Sequence, residues 1–552
     1  MNKKVCSFPI LFALLALLIG TCAVVFPASA QAAPTSTGSI TVSGTVASSY
    51  DAYQIFSANV VDGDSDAKIA TDLAWASDAA LPVLHSAGMP NSQTTAQEAA
   101  EWLNTDSHLT SALSAQLARS LQSSGAVPVA LNAGTAAELP CGYWLIVADD
   151  DAIAQGEAGT APIMALVGGS AVTVKPKAAT PKVAKHVLED STAAWQKAAD
   201  ATVADDLYWR LSATVPSGLT AYDTYTVRFV DTMSAGLDSS KVAASMRVYA
   251  AAGADGGFGA VSAGKDGRAG TEPAKGWTDI TAQCAIKVAA DGKTFTVRTG
   301  DLIAALGGAD AFAAGARVVA VYNAPLNGAC NHGIAKGNPN EAYLRYPRSP
   351  LADQSGDAGF TRTPSDDACA YTWDLALTKR GSDGDKPLAG AVLSIADDRG
   401  RTLAADGTWD AEGKATVTTG EDGRVTVSGV DSGKLEVREL KAPKGYTAFE
   451  GTRSVTVKAE GLDVDQVVAA KPKLSITAES PLRADSADGS TGSLEASLIN
   501  TPTGTPPSIT TGGFMPSTGD MAMYAAAAAA VAGAAFIVVA LLVKRGGGSH
   551  KE

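Results

Sequence analysis

The chain has 552 residues, a formal net charge of −14 and no block of basic residues, so nucleic acid is not an expected partner. Charged residues make up only 18% while 46% are apolar, which excludes a long solvated disordered tail and suits a packed coating or fibre. Six cysteines in so long a chain are too few for a fold held by disulfides.

Taken in chain order, Lys3-Lys4, the apolar stretch Phe8 to Phe26 and Ala28-Ser29-Ala30 form the charged, hydrophobic and cleavage regions of a secretory signal peptide over 1–30. Cleavage after Ala30 or after Ala32 fits equally well. Cys22 makes a poor lipid-attachment site, because Thr21 precedes it and the apolar run continues past it. Exported residues amount to about 490, enough for three or four domains. In residues 31–174, "GSITVSGTV" and "GYWLIVAD" alternate apolar and polar positions as strands do. The same region carries "TAQEAAEWLNTDSHLTSALSAQLARSL", whose 3.6-residue period predicts helix over about Thr94–Gln122. Composition breaks near "VKPKAATPKVAK" and "TPSDDACAYTW" then bound a second domain, 175–368, with strand runs "YTVRFVD", "KTFTVRTG" and "ARVVAVYN". A third domain, 369–505, carries "GRVTVSGV" and "RSVTVKAE". The fold class expected is mainly β, as tandem immunoglobulin-like sandwiches with some helix in the N-terminal domain.

Residues 506–514 belong to a Pro/Thr/Gly-rich spacer. Beyond it lies Met515-Pro516-Ser517-Thr518-Gly519, then an apolar run over 524–543, long enough at roughly 20 residues to span a bilayer as a helix. Lys544-Arg545 follows as a basic stop on the cytoplasmic side. Motif, span and basic tail (515–552) resemble the cell-wall sorting signal of Gram-positive surface proteins, whose pattern is L-P-x-T-G; Met515 departs at the first position. Proline presents a kinked backbone, and Gly519 leaves the Thr518 carbonyl open to a sortase cysteine.

Three further stretches extend the resemblance. "AVTVKPKAATP" resembles the pilin motif V-x-V-Y-P-K, with Lys175 where the family has Tyr, and implies Lys177 as the amine that joins the next subunit. "TPKVAKHV", "YTVRFVDTMSAGL" and "GNPNEAYLRYP" resemble the fimbrial isopeptide-forming domain. This implies Lys185 as amine, Asp231 as catalytic acid and Asn340 as carboxamide, with Asn338 the fallback partner. Alternation along its strand puts Asp231 on the same face as Val227 and Phe229. "LALTKRGSDGDKPLAGAVLSI", "LEVRELKAPKGY" and "SLEASLINTPTG" resemble a Cna-B-type domain and imply Lys379, Glu439 and Asn500. Leu440 stands where Thr often follows the family's glutamate. The first domain's "SSYDAYQIFSANV" and "LPCGYWLIVAD" resemble the N-terminal domain of the same pilins, without a complete Lys–acid–Asn set.

The whole chain therefore resembles a sortase-assembled backbone pilin. That implies a structural protein rather than an enzyme, with no cofactor and no metal. Expected partners are sortase, other copies of itself, peptidoglycan, ancillary pilins and host surface ligands. Expected placement is a wall-anchored surface pilus built from a membrane-retained precursor. The competing class is an ancillary pilin or wall-anchored adhesin, which would not propagate a fibre. Cys330 and Cys369 offer one extracellular disulfide; the alternative is that they are small buried hydrophobes. Two other signals fail on their own chemistry. "GAVSAGK" (Gly259–Lys265) has phosphate-loop spacing, but Asp266 replaces the hydroxyl needed for Mg²⁺. "DGDSD" (Asp62–Asp66) opens like a calcium loop, yet Ala67 and Leu73 replace its turn glycine and final glutamate.

Overall fold

A computed structural model describes residues 36–504 apart from 45, 65–66, 106–107, 178, 263–267 and 468–470. The expected signal peptide, spacer, sorting motif, membrane segment and basic tail lie outside the described residues, as do parts of the two dismissed loops. Among the described residues no helix is long and apolar enough to cross a membrane.

Each strand run read from the sequence is a strand, and the chain folds as three successive two-sheet units. In the first, Ser49–Asp62 lies centrally, between Gly142–Ala148 on one side and Lys68–Trp75 and Val129–Asn132 on the other. A small second sheet joins Ala136–Pro140, Thr37–Val42 and Val172–Val174. The helical stretch differs from expectation, since it forms two helices, Ala96–Asn104 and Ser111–Ser123. Residues that cap helices cause the break. Thr95 and Glu98 form a capping box on the first, Thr105 ends it in an extended conformation, and the Thr110 side chain starts the second by accepting from the Leu113 amide. Leu103, Leu117 and Leu121 then bury against Phe56, Leu145 and Val147 of the sheet.

The middle unit is a sandwich. One sheet runs Ala194–Gln196, Lys182–Glu189, Tyr208–Val215, Ala316–Asn323, Arg247–Ala252, Thr278–Asp279. The other runs Ala198–Asp200, Asp366–Tyr371, Asn338–Pro347, Arg228–Met233, Thr294–Arg298, Ala285–Val288, with Phe360–Arg362 on the third of these. Inward positions of both sheets, among them Trp209, Leu211, Phe229, Phe295, Tyr322 and Leu344, make one core.

In the C-terminal sandwich, Trp373–Gly381 and Ser493–Pro502, its first and last strands, are parallel neighbours. Val392–Ala396, Gly433–Lys441 and Thr452–Glu460 form the heart of the facing sheet. Asp366–Tyr371 still bonds within the middle sandwich, and Trp373 opens the next one. The sheets thus change at Thr372, and a cut at 369 falls inside the middle unit's last strand. Composition marks the turn-rich "TPSDD" before that strand rather than the strand's end.

Candidate functional site

Two buried clusters bring together residues that are far apart in sequence. In the middle sandwich Lys185 lies on Lys182–Glu189 and crosses from one sheet toward the other. Asp231 and Asn340 lie on adjacent antiparallel strands, in register Asp231↔Ala342 and Met233↔Asn340. The burial pattern of Arg228–Met233 turns Phe229, Asp231 and Met233 inward together. Lys185, Asp231 and Asn340 are all 0% exposed.

Lys185 Nζ donates to Asp231 Oδ2 and, at 2.7 Å, to the Tyr322 hydroxyl. The Tyr322 hydroxyl in turn donates to Asp231 Oδ2 at 2.9 Å and accepts from Asn340 Nδ2 at 2.8 Å. Trp209 and Tyr322 present their rings to the amine at 5.4 and 5.3 Å. Burial dominates the electrostatics here. It lowers the Lys185 pKa despite the neighbouring Asp231 and raises that of Asp231 despite Lys185, so both groups move toward their neutral forms. Two buried acceptors, Asp231 Oδ1 and Asn340 Oδ1, have no donor. A proton on the carboxyl would add the missing donor.

The backbone at Lys185 is clamped as well. Asp366 Oδ2 accepts from the Lys185 amide at 2.7 Å and from Lys197 Nζ, and Lys197 Nζ also donates to the Lys185 carbonyl at 2.9 Å.

The C-terminal cluster uses a different layout. Lys379 and Asn500 sit on the two parallel neighbours of one sheet, where Lys379 is level with Leu498 and Gly381 with Asn500. Glu439 reaches them from the facing sheet. Its Oε1 lies 3.8 Å from Lys379 Nζ and accepts from Asn500 Nδ2 at 2.9 Å; its Oε2 accepts from the Phe449 amide at 3.1 Å. Lys379 Nζ also donates to the Leu498 carbonyl at 3.2 Å. Burial brings the Lys379 pKa down to about 8 against the pull of Glu439, and Asn500 Oδ1 is again a buried acceptor without a donor. Both clusters thus set an amine of lowered basicity beside a carboxamide and a carboxyl, the ingredients for amide exchange with loss of ammonia.

The remaining sequence-derived positions fall elsewhere. Lys177 is exposed, three residues beyond the strand Val172–Val174. Asn338 is buried, but its amide is committed to its own loop and strand: Oδ1 accepts from the Asn331 amide at 2.8 Å, and Nδ2 donates to the Asn331 and Ala370 carbonyls. Cys330 and Cys369 are both free thiols, so the expected disulfide is not made. Cys330 Sγ faces His332 Nε2 at 3.5 Å, while Cys369 packs under Gly337 in the core, where burial pushes its thiol pKa up to about 11. Met515, Pro516, Ser517, Thr518 and Gly519 lie outside the described residues. Sequence reasoning missed Tyr322, Lys197 and Asp366.

Residues 374–471 match the family model described as the SpaA prealbumin-like fold domain. The trypsin-resistant surface T6 protein of Streptococcus pyogenes serotype M6 is 31% identical over 129 residues; the match covers 22% of this chain and 22% of that protein. This chain is therefore aligned with about a fifth of that relative's length. Among solved structures, the T6 backbone pilin of S. pyogenes serotype M6 superposes with a TM-score of 0.46 at 17% identity, over 86% of this chain and 100% of that one. The major pilin SpaD of Corynebacterium diphtheriae gives 0.41 at 15%, over 86% and 100%. The pilus 2b backbone protein of group B streptococcus gives 0.37 at 19%, over 56% and 96%.

Proposed function

We propose that this chain is the backbone subunit of a covalently polymerised pilus on a Gram-positive cell surface. Within each copy, Lys185 joins Asn340 and Lys379 joins Asn500. In each case the neutral lysine Nζ attacks the asparagine Cγ, the new Nζ–Cγ amide forms, the Cγ–Nδ2 bond breaks and ammonia leaves. Asp231 and Glu439 supply and take back the proton that polarises the carboxamide. Each step occurs once per molecule, so the chain is a structural protein and not a turnover enzyme. Between copies, sortase cleaves between Thr518 and Gly519 and transfers the Thr518 acyl group to Lys177 of the next subunit; the last copy is passed to peptidoglycan.

One observation carries the internal chemistry. Two separate sandwiches each bury a lysine of lowered basicity, a carboxyl and an asparagine together, and each leaves the asparagine Oδ1 without a donor. An ordinary buried ion pair costs desolvation and is retained only when its hydrogen bonds are complete; these are incomplete at the carboxamide oxygen. The sortase step rests on the sequence motifs and on the exposure of Lys177.

The intact mass of the full chain should be low by two ammonias. Asp231→Ala and Glu439→Ala should each restore one, at different sites. An unshifted parent mass would remove both internal linkages. On the native surface, boiled and reduced wall extracts should give a ladder of multimers that collapses to monomer in Lys177→Ala. A ladder that persists in that variant would place the intersubunit bond on another lysine. Wall-bound monomers alone would favour an anchored adhesin.

A further inference from the structure

The two clusters hold the carboxamide nitrogen in different ways. In the C-terminal site the carboxylate itself holds the carboxamide nitrogen, at 2.9 Å, and lies 3.8 Å from the amine. In the middle site the carboxamide nitrogen is held by the Tyr322 hydroxyl at 2.8 Å, which is also 2.7 Å from the amine. A phenol therefore bridges the nucleophilic nitrogen and the leaving nitrogen, in a site closed to water.

We propose that Tyr322 is a catalytic residue of the middle sandwich, relaying a proton from the attacking Lys185 amine to the departing Asn340 nitrogen. This rests on the Lys185–Asn340 linkage proposed above. As Nζ bonds to Cγ, the carboxamide nitrogen loses its conjugation and becomes basic. At that point Nδ2 no longer donates to the phenol, and the Tyr322 proton turns from Asp231 Oδ2 to Nδ2 while one amine proton moves to the Tyr322 oxygen. Ammonia leaves, the phenol is restored, and no oxidant or reductant is needed. Asp231 is left to protonate and polarise the carbonyl oxygen. Burial and the adjacent Asp231 keep the phenol from ionising at rest, with its pKa well above the usual value. Its ring is fixed edge-on against Phe295, with centroids 4.8 Å apart at 74°.

The test uses the full chain made in a cell-free synthesis pulse, with linked peptides quantified by mass spectrometry over time. The Lys379–Asn500 linkage in the same molecule is the control. Tyr322→Phe keeps the ring and should slow the Lys185–Asn340 linkage about a hundredfold, leaving Lys379–Asn500 at its parent rate. Linkage of Lys185 to Asn340 at the parent rate would overturn the proposal. If the parent chain forms neither linkage, the crosslinking reading itself fails, a result that the variant comparison cannot mimic. A second variant guards against misfolding by the phenylalanine: 3-fluorotyrosine at position 322 keeps shape and hydrogen bonding while making the hydroxyl more acidic. A relay shifts the pH profile of Lys185–Asn340 formation; a profile identical to the parent's would reduce Tyr322 to packing and sink the idea.

Discussion

Asp366 shows how much a single side chain can organise at long range. It holds the Lys185 amide and the Lys197 amine across a sequence separation of 181 residues from the former, and the lysine pair then fixes the Lys185 carbonyl. Asp366→Ala leaves a buried amide and a mostly buried ammonium without their acceptor. It should lower the stability of the full chain by about 1–3 kcal/mol, measured by denaturant unfolding. It should also leave a fraction of Lys185 unlinked in peptide maps, because the attacking strand loses its anchor. Residues of this kind are hard to read in a sequence. Asp231 was legible because the resemblance to the fimbrial isopeptide-forming domain implied it, and alternation with Phe229 set it on an apolar face. Tyr322 alternates with Val318 and Ala320 and looks like any core aromatic. Asp366 follows Thr-Pro-Ser and looks like a turn residue, since its partners are distant in the chain. The cysteines misled for a related reason: their number says nothing of direction, and Cys330 turns to a histidine while Cys369 turns to the core.

Secondary-structure elements were more legible than their partners, because period-2 and 3.6-residue patterns are local properties. What stayed hidden was how elements meet at the junction between the middle and C-terminal sandwiches. There Asp200, at the end of Ala198–Asp200, accepts from Trp373 Nε1 at 2.6 Å and the Ser432 amide at 2.9 Å. Glu189 accepts from the Asp200 amide at 3.2 Å and also from Ser191, while Asp190 and Asp431 complete an acidic group. Arg399 and Arg401 face the same junction, bound to Asp205, with Arg399 also reaching Asp190 at 3.7 Å. Burial, reinforced by Asp200, raises the Glu189 pKa to about 7 and raises those of Asp190 and Asp431. Since the folded pKa exceeds the unfolded value of about 4.3, the folded junction binds more protons between those two pH values. Its stability is then greatest at the acidic end and falls as pH rises toward 7. Surface carboxylates whose pKa values are lowered, such as Asp357, push the other way, so the parent chain alone does not isolate the effect. Glu189→Gln does. Its thermal midpoint should match the parent's near pH 5 and exceed it near pH 7.5; a constant difference across that range would mean that Glu189 does not titrate at the junction.

At the scale of the whole molecule, the proposed bonds determine which parts of the chain carry load. In a fibre joined from Thr518 of one copy to Lys177 of the next, tension enters at Lys177 and never passes through the sandwich that precedes it. It crosses from Lys185 to Asn340, runs through Asp366–Tyr371 into Trp373–Gly381, crosses from Lys379 to Asn500 and leaves toward the C-terminus. The loops bypassed span about 155 and about 121 residues, for which the chain-entropy treatment of crosslinks gives on the order of 5 kcal/mol each. Under tension the mechanical consequence matters more than this equilibrium term. The first and last strands of the C-terminal sandwich are parallel neighbours, so opposed pulling would shear their hydrogen-bond ladder, but the Lys379–Asn500 amide near its far end takes the force instead. Most hydrogen bonds of both sandwiches therefore carry none of it, and unfolding under load requires breaking a covalent bond. Single-molecule pulling on the full chain, held through position 177 and the C-terminal end, should show no domain-unfolding step in the parent. Lys185→Ala should restore one step, at roughly 3.4 Å per freed residue a gain of about 500 Å, and Lys379→Ala a separate one of about 400 Å. Steps of those lengths in the parent chain would mean that tension runs through the folded sandwiches and that neither amide bears it.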